Sequence, residues 1–187
     1  MNQIEKAVIF ATEAHSGQKR KIENYPYVFH VVEVGNIVAT ITSKEEVIIA
    51  GILHDTLEDT KTTPEDIEKN FGHEVLRLVK GETENRSYTI SKSASWVMRK
   101  QEMIDYIQGA SLDEKIICLA DKLSNIRSMK RSFVKFGDKF YDYFNQKDPK
   151  MHEWYFRSLL AAMPELKDEL AYKELEELID IVFGGNK

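Results

Sequence analysis

The chain has 187 residues, 42% of them hydrophobic and 30% charged, with a formal net charge of −5. This length and composition are those of an ordinary soluble globular protein, and we expect residues 1–187 to form a single domain. The negative charge argues against nucleic-acid or anionic-membrane binding by the whole surface, but it leaves room for a local basic pocket that holds a small anion. The single cysteine, Cys118, excludes an internal disulfide.

The N-terminal stretch MNQIEKAVIFATEAHSG is predicted to form an amphipathic helix over residues 2–16, which Gly17 ends. Glu5 and Glu13 lie inside it, whereas a signal peptide needs a basic start and an unbroken apolar stretch. No window of the sequence is long and apolar enough to span a membrane. We therefore expect a cytoplasmic protein.

Helical periodicity continues through the first half of the chain. Apolar residues spaced three and four apart predict a helix over 27–41, after Pro26. Ser43 with Glu46 matches a capping box ahead of the run VIIAGILHD.

The second half shows the same kind of start and stop signals. Thr63 followed by Pro64 predicts a helix start, and Gly72 its end. Ser111 with Glu114 matches a capping box ahead of KIICLADKLSNIRSM.

The last helical segment, 150–183, contains Pro164, which we expect to divide it in two. The polar stretch 81–95 has no clear period, and we interpret it as a mobile loop beside a functional site. No stretch alternates as a strand would. The sequence thus predicts an all-α fold, a helical bundle of about eight to ten helices.

The stretch GILHDTLEDT, residues 51–60, places four acidic or imidazole side chains directly after an apolar run. If the helix continues at about 100° per residue, His54, Asp55, Glu58 and Asp59 fall within one arc of about 140°. A His next to an Asp on such an arc can supply nitrogen and oxygen ligands to one divalent metal.

Two further candidate ligands lie in apolar surroundings elsewhere. Asp121 interrupts the apolar helix ICLADKLSN, where a carboxylate is costly to bury unless it is paired or bound to metal. His30 follows YPYVF at a position suited to a core residue. Taken singly, a His of this kind is more often a hydrogen-bonded core residue, and an Asp is more often a cap or an ion-pair partner. Together with His54 and Asp55 they form a mixed site that suits Mn²⁺ or Fe²⁺ better than Zn²⁺ or Mg²⁺.

The order His, then His-Asp, then Asp resembles the HD-domain superfamily of metal-dependent phosphohydrolases. Five blocks in register sharpen the likeness, and they are AHSGQKRK, YPYVFH, AGILHDTLEDT, FGHEVLRLVKGET and CLADKLSNIRSM. Together they resemble the hydrolase domain of the RelA/SpoT homologue family over about residues 1 to 160. The chain has no room for that family's synthetase and regulatory regions, so the likeness implies the stand-alone, small alarmone hydrolase type.

The resemblance implies a Mn²⁺-dependent hydrolase, with one ion per chain, that acts on guanosine tetraphosphate (ppGpp) and pentaphosphate (pppGpp). Pyrophosphate would leave the ribose 3′ position, and GDP or GTP would remain. The implied metal ligands are His30, His54, Asp55 and Asp121. The implied catalytic acidic pair is Glu58 and Asp59, and the implied nucleotide contacts include Arg20, Lys21 and Asn125. The loop KRKIENYPY departs from the family in length and lacks the Gly usual there.

A net acidic protein must concentrate basic side chains locally to bind such a substrate. Lys100, on the helix after the polar stretch, could reach a diphosphate, and the flat guanidinium of Arg20 could stack on a purine. Tyr155 is predicted to line the nucleotide pocket or to pack in the core. Other Lys and Arg residues nearby, including Lys122, are more often solvated surface charges.

We expect the remaining histidines to have roles other than metal binding. His15 is expected to tie the end of the first helix to the site, whereas His73 and His152 are expected at the surface. A group of apolar or aromatic residues is expected in the core: Trp96, Met98, Met103, Cys118 and Trp154.

Two other functions remain open from the sequence. One is an HD phosphohydrolase acting on another nucleotide, such as a nucleoside monophosphate or the 2′-phosphate of NADPH, through the same metal cluster. The other is a non-catalytic HD module that binds a nucleotide and signals. Such a module should have lost a metal ligand or the acidic pair, and all six of those residues are present here.

Overall fold

A computed structural model describes residues 2–83, 91 and 94–184, and in that part of the chain the fold is all-α. The α-helices are α1 Gln3–Ala14, α2 Val28–Ile41, α3 Glu45–Leu53, α4 Thr56–Asp59, α5 Pro64–Phe71, α6 His73–Glu82, α7 Trp96–Gly109, α8 Leu112–Phe136, α9 Pro149–Ala162 and α10 Leu170–Phe183. Two 3-10 helices, Gly137–Tyr143 and Pro164–Leu166, complete the set. The described residues contain no strand, only an isolated bridge between Lys19 and Pro26. The predicted all-α class is confirmed, whereas most of the predicted loop at 81–95 lies outside the described residues.

Several predicted helix ends agree with the structure. Thr63 and Ser111 each accept a hydrogen bond from the backbone three residues on, and in each case an acidic side chain returns the bond. Gly72 has φ +91° and separates α5 from α6, as the sequence predicted. Near Pro164, α9 ends at Ala162 and α10 begins at Leu170, so the last segment is divided as expected.

The capping box predicted at Ser43 is wrong. Helix α3 begins one residue later, with Lys44 as the N-cap and no side-chain cap. Glu46 is therefore the second helical residue instead of the third, and it cannot close the box. The chain leaves α2 in an extended conformation at Thr42, whose hydroxyl accepts the Lys44 N–H.

Helix α8 is the central element of the bundle, because α2, α3, α6 and α10 all pack against it. Its fully buried side chains include Ile117, Leu119, Leu123 and Ile126. Asp121 lies among these apolar residues, halfway along the helix. Its carboxylate is therefore held inside the protein by the most extensively packed helix.

Two glycines let α2 and α3 approach closely. A Cβ atom on Gly35 would lie 2.4 Å from Cγ1 of Ile52, and one on Gly51 would lie 2.9 Å from Cγ2 of Val38. Side chains at these positions would push the two helices apart. The close approach matters for function, because His30 lies on α2 and His54 directly follows α3.

We predict that Gly35→Ala lowers the free energy of unfolding by about 1–2 kcal/mol. Overpacking against Ile52 outweighs the better helix propensity of alanine. Gly109→Ala is the matched control, because nothing lies within 4 Å of its Cβ position, and it should be neutral or slightly stabilising. Denaturant unfolding of both variants tests this, and equal stability would contradict the close-packing argument.

Candidate metal centre and adjoining cavity

Three of the predicted ligands, His30, His54 and Asp121, are buried with their donor atoms within 4.8 Å of one another, and the partly exposed Asp55 adjoins them. His30 Nε2 lies 3.4 Å from Asp55 Oδ2 and 3.3 Å from Asp121 Oδ1. His54 Nε2 lies 2.9 Å and 3.5 Å from the same two oxygens. Ligand bonds of about 2.0–2.2 Å to one ion would place neighbouring donor atoms about 3.0–3.5 Å apart. These four side chains could therefore hold a single divalent metal.

The His-Asp pair does not lie on a continuous helix, so the predicted arc of 140° is wrong. Helix α3 ends at Leu53 and α4 begins at Thr56. Local side chains cause the break, because His54 Nδ1 bonds to the carbonyl oxygen of Gly51 and the Thr56 hydroxyl donates to that of Leu53. These side chains occupy carbonyls that a continuing helix would bond with its own N–H groups.

The orientation of His54 favours a cation in the cluster. Because its Nδ1 faces a carbonyl oxygen, Nδ1 carries a proton, and Nε2 is the nitrogen turned toward Asp55 and Asp121. Burial opposes a charge on His54, but the two carboxylates raise its pKa well above the usual range. That Nε2 is buried and has no hydrogen-bond partner among the described residues, although Asp55 Oδ2 is 2.9 Å away. A nitrogen and a carboxylate oxygen this close in a buried site need positive charge between them, which a proton on Nε2 supplies in the metal-free chain and a divalent ion could supply in its place.

The two carboxylates of the cluster remain ionised. Burial by itself raises the pKa of Asp121, but Lys122 and the two histidines lower that pKa well below its usual range. Burial likewise opposes the charge of Asp55, and His54 and His30 lower its pKa well below the usual range. Two buried negative charges of this kind require positive charge beside them, which a divalent ion supplies.

Neighbouring polar groups orient both carboxylates. Tyr27 donates its hydroxyl to Asp55 Oδ2 at 2.7 Å, and burial followed by the charge of Asp55 raises the pKa of that hydroxyl. Asn125 Nδ2 donates to Asp121 Oδ1 at 2.6 Å, and Lys122 pairs with Oδ2 of the same residue.

A cavity of about 380 Å³ adjoins this cluster, because Tyr27, Lys122 and Asn125 all line it. Apart from the polar Ser128, the remaining lining residues are basic, aromatic or apolar: Lys19, Arg20, Lys21, Ile22, Trp96, Lys100, Met129, Phe144, His152, Tyr155 and Phe156. The cavity is thus basic near the cluster's carboxylates and aromatic elsewhere, which suits an anionic ligand with a planar ring.

The structure brings all five predicted nucleotide contacts to this cavity. Arg20 lies 5.6 Å from the ring centre of Tyr27 and donates to Asn125 Oδ1 at 3.0 Å. Lys100 Nζ lies 4.6 Å from the ring centre of Tyr155, whose side chain is buried and also lines the cavity. Lys21 lines the same wall as Arg20. Their binding roles remain predictions.

The acidic pair lies on α4, directly after the His-Asp turn. Glu58 is half-buried, whereas Asp59 is exposed. Asp59 lines a different cavity, together with Ser16 and Gln18, and its carbonyl oxygen accepts the Gln18 amide. Neither residue of the pair lines the basic cavity.

His152 was predicted at the surface and is instead buried. Its Nε2 bonds to the carbonyl oxygen of Gln146 at 2.8 Å, and its ring packs beside Trp96 and Phe144. A helical period cannot reveal this, because the partners lie on α7 and in the segment that precedes α9. Burial lowers its pKa, and the imidazole serves as an aromatic wall of the cavity.

The structure also tests the predictions for Met98, Cys118, His73 and His15. Met98, predicted in the core, is 49% exposed because it lies two residues from buried Trp96, on the far side of α7. Cys118 is buried as predicted, and His73 is exposed as predicted. His15 packs against Tyr27 with ring centres 4.9 Å apart, so it contacts the residue that holds Asp55.

Reasoning from the sequence did not place Tyr27 in the site, and it did not establish that Lys122 is buried there. Lys122 was among the basic candidates for the pocket, with a solvated surface charge as the more frequent alternative, and its side chain is in fact only 12% exposed and pairs with Asp121. Its position next to an intrahelical Asp with apolar neighbours was the available signal. Tyr27 offered none, because its contact with Asp55 spans 28 residues.

Glu82 is a buried carboxyl that the sequence reasoning also missed. It is the last residue of α6, and its Oε1 has no hydrogen-bond partner among the described residues. Burial raises its pKa to about 7, with Lys122 opposing the rise and Asp121 adding to it.

We predict that Glu82→Gln changes the pH dependence of stability in the metal-free protein. The pKa is higher in the folded state, about 7, than the ordinary 4.5, so the folded state retains a proton that the unfolded state loses. Wild-type stability should therefore fall relative to the variant from about pH 5 to pH 8, by at most about 3 kcal/mol. Denaturant unfolding at both pH values measures this, and parallel pH profiles would contradict it.

The chain is similar to known proteins in sequence and in structure. The model of the HD domain family matches residues 7–138. The guanosine-3′,5′-bis(diphosphate) 3′-pyrophosphohydrolase MESH1 of Danio rerio is 38% identical over 67% of this chain and 68% of its own length. The human protein of that name is 35% identical over 69% of this chain and 70% of its own. A 3′-pyrophosphohydrolase of Aquifex aeolicus is 36% identical over 68% of this chain but only 18% of its own length.

Solved structures agree. One described as a metazoan ortholog of SpoT that hydrolyses ppGpp has a TM-score of 0.75 at 26% identity, covering 98% of this chain and 95% of its own. A protein from Listeria monocytogenes has a TM-score of 0.72 at 32% identity, covering 83% and 99%. The chain therefore belongs to the HD-domain family, and the predicted resemblance to the SpoT-type hydrolases within it is confirmed. Of the helices in the described part of the chain, none has the length and apolar character needed to cross a membrane.

Proposed function

We propose that this protein hydrolyses ppGpp and pppGpp at the ribose 3′ position, releasing pyrophosphate and leaving GDP or GTP. The observation that carries the proposal is that the cluster of His30, His54 and Asp121, with Asp55 beside it, adjoins the basic, aromatic cavity through Tyr27, Lys122 and Asn125. The relatives named as 3′-pyrophosphohydrolases supply the substrate class. We further propose that residues 1–187 act as one unit, because α10 packs on α8 and α9 on α7.

Mn²⁺ is the ion that we propose for the cluster. Two imidazole nitrogens and two carboxylate oxygens form a mixed donor set that suits Mn²⁺ and leaves positions for water. When bound, the ion would lower the pKa of a water ligand and polarise a phosphoryl oxygen. The lone cysteine is buried and free, which agrees with a cytoplasmic enzyme.

The chain's own residues have distinct tasks in this reaction. Glu58, three residues beyond Asp55, accepts the proton of the attacking water or orients that water. Asp59 assists from the same short helix by holding the hydrated leaving group. Arg20, Lys21 and Lys100 bind the phosphates from the cavity wall.

Base recognition falls to the flat and amide-bearing side chains of the cavity. Tyr155 forms an aromatic wall for the nucleoside, and Arg20 can stack on the purine. Asn125 connects the two regions, because it bonds to both Arg20 and the ligand Asp121. Positioning of the base is thereby coupled to positioning of the metal ligand.

The test is turnover of ppGpp by the purified protein with Mn²⁺, followed by anion-exchange separation of the products. Equal release of GDP and pyrophosphate, lost in a metal-stripped sample and in Asp55→Ala, supports the proposal. Absence of turnover despite bound metal would overturn the substrate assignment, and nucleoside monophosphates and NADPH are then the next substrates to test. Nucleotide binding without turnover of any of them would favour the non-catalytic signalling module.

A further inference from the structure

A chain of hydrogen bonds leads away from the metal cluster through residues that do not line the basic cavity. His30 Nδ1 lies 2.8 Å from Ser124 Oγ, in a contact between α2 and α8. The same hydroxyl lies 2.8 Å from Glu33 Oε2, one turn further along α2. Ser124 is 1% exposed, so water does not compete for either contact.

The chemistry of the three groups determines the direction of each bond. Glu33 as a carboxylate can only accept, so the Ser124 hydroxyl donates its hydrogen to Glu33. The lone pairs of Ser124 Oγ are then left to accept the Nδ1–H of His30. His30 therefore holds a proton on Nδ1 and turns Nε2 toward the cluster, where Nε2 would be the ligand atom for an ion.

Glu33 is itself held in place from its far side. Arg127 Nη1 donates to Glu33 Oε1 at 3.0 Å, while Arg127 makes a two-point pair with Glu174 at 2.7 and 2.6 Å. Arg127 is thus anchored by α10 independently of Glu33. The second carboxylate oxygen of Glu33 remains available for Ser124.

We propose that Ser124 and Glu33 are positioning residues for the metal site, acting through His30 to set its affinity for a divalent ion. The serine hydroxyl fixes the tautomer and ring orientation of His30. The carboxylate polarises that hydroxyl and increases the electron density that Nε2 offers to the ion. Neither residue contacts the ion or the substrate. This inference rests on the metal-binding part of the proposed function and is independent of which nucleotide is hydrolysed.

The experiment titrates Mn²⁺ into chelator-treated protein by calorimetry, without nucleotide. Ser124→Ala should weaken Mn²⁺ binding about 10- to 100-fold, because the buried Nδ1–H of His30 loses its acceptor. Ser132→Ala is the matched control on the same helix, since the Ser132 hydroxyl is buried and has no hydrogen-bond partner among the described residues. It should leave the affinity unchanged.

Variants of Glu33 distinguish an effect transmitted through the Ser124 hydrogen bonds from a general loss of packing around His30. Glu33 is half-exposed, so Glu33→Ala should fold, and its affinity should fall less than that of Ser124→Ala. Glu33→Gln keeps an oxygen for the Ser124 hydroxyl and should retain more affinity than Glu33→Ala. In a double-mutant cycle, Glu33→Ala should have no further effect once Ser124 is alanine.

Three outcomes would overturn the proposal. They are unchanged Mn²⁺ affinity in Ser124→Ala and Glu33→Ala, full additivity of the two substitutions, or a wild type that binds no Mn²⁺. Failure of the proposed function looks different, because a protein that binds Mn²⁺ with the expected variant pattern but does not hydrolyse ppGpp leaves this inference standing.

Discussion

Asp121→Asn is expected to abolish tight Mn²⁺ binding and to lower ppGpp turnover on the order of 10³-fold or more. Asp121 Oδ1 lies 3.3 and 3.5 Å from the Nε2 atoms of His30 and His54, so it is central to the donor set. Asparagine keeps the shape but offers a neutral oxygen. Loss of the ion removes several kcal/mol of transition-state stabilisation, and each 1.36 kcal/mol is a tenfold change in rate.

Asp113→Asn is the matched control for this variant. Asp113 lies in the first turn of the same helix and pairs with the exposed ammonium of Lys44. Metal content and product release should both match the wild type there. Metal content should be measured on folded protein, because Asp121→Asn also deprives the buried Lys122 of its partner. Tight metal binding together with full turnover in Asp121→Asn would show that Asp121 is not a ligand of the metal.

Helix boundaries were predictable where their determinants are close in sequence. Thr63 with Asp66 and Ser111 with Glu114 satisfy backbone groups within their own turn, so the pattern suffices. The same holds for Asp121, because an acidic residue in an apolar helix is costly to bury without a partner. These local signals pointed to the candidate metal ligands as well as to the helices.

The break between α3 and α4 was not predictable in this way. The apolar pattern leading to His54 continues the period of α3, but the side chains of His54 and Thr56 bond to carbonyls of the preceding turn. Whether the carbonyls of this turn bond to helical N–H groups or to the side chains of His54 and Thr56 depends on how the turn packs against the rest of the protein. The mistaken assumption of a continuous helix nevertheless selected two residues that lie together in the cluster, since His54 Nε2 is 2.9 Å from Asp55 Oδ2.

Contacts between distant segments account for the other errors. The burial of His152 depends on Trp96 and Phe144, and the hold of Tyr27 on Asp55 depends on how α2 packs against the turn after α3. Helical period reports one face of one helix and says nothing about which segments meet there. The walls of the cavity therefore needed the structure, although five of their residues were chosen from charge and family likeness.

Glu58→Gln is expected to lower the rate of ppGpp hydrolysis by about 10²- to 10⁴-fold while leaving Mn²⁺ affinity close to that of the wild type. Glu58 follows Asp55 by three residues on a short helix and is half-buried, and it is not one of the four predicted ligands. Glutamine preserves the shape but cannot accept the proton of the attacking water. The two effects should therefore separate, in contrast to Asp121→Asn.

Asp59→Asn provides the comparison within the acidic pair. Asp59 is exposed and lines the cavity with Ser16 and Gln18, so we expect a smaller loss of rate than for Glu58→Gln. Glu65→Gln, at an exposed position in the first turn of α5, should change neither rate nor affinity. Single-turnover rates with saturating Mn²⁺ measure all three. A large loss in Asp59→Asn with none in Glu58→Gln would reverse the assignment, because the proton acceptor would then be the exposed carboxylate.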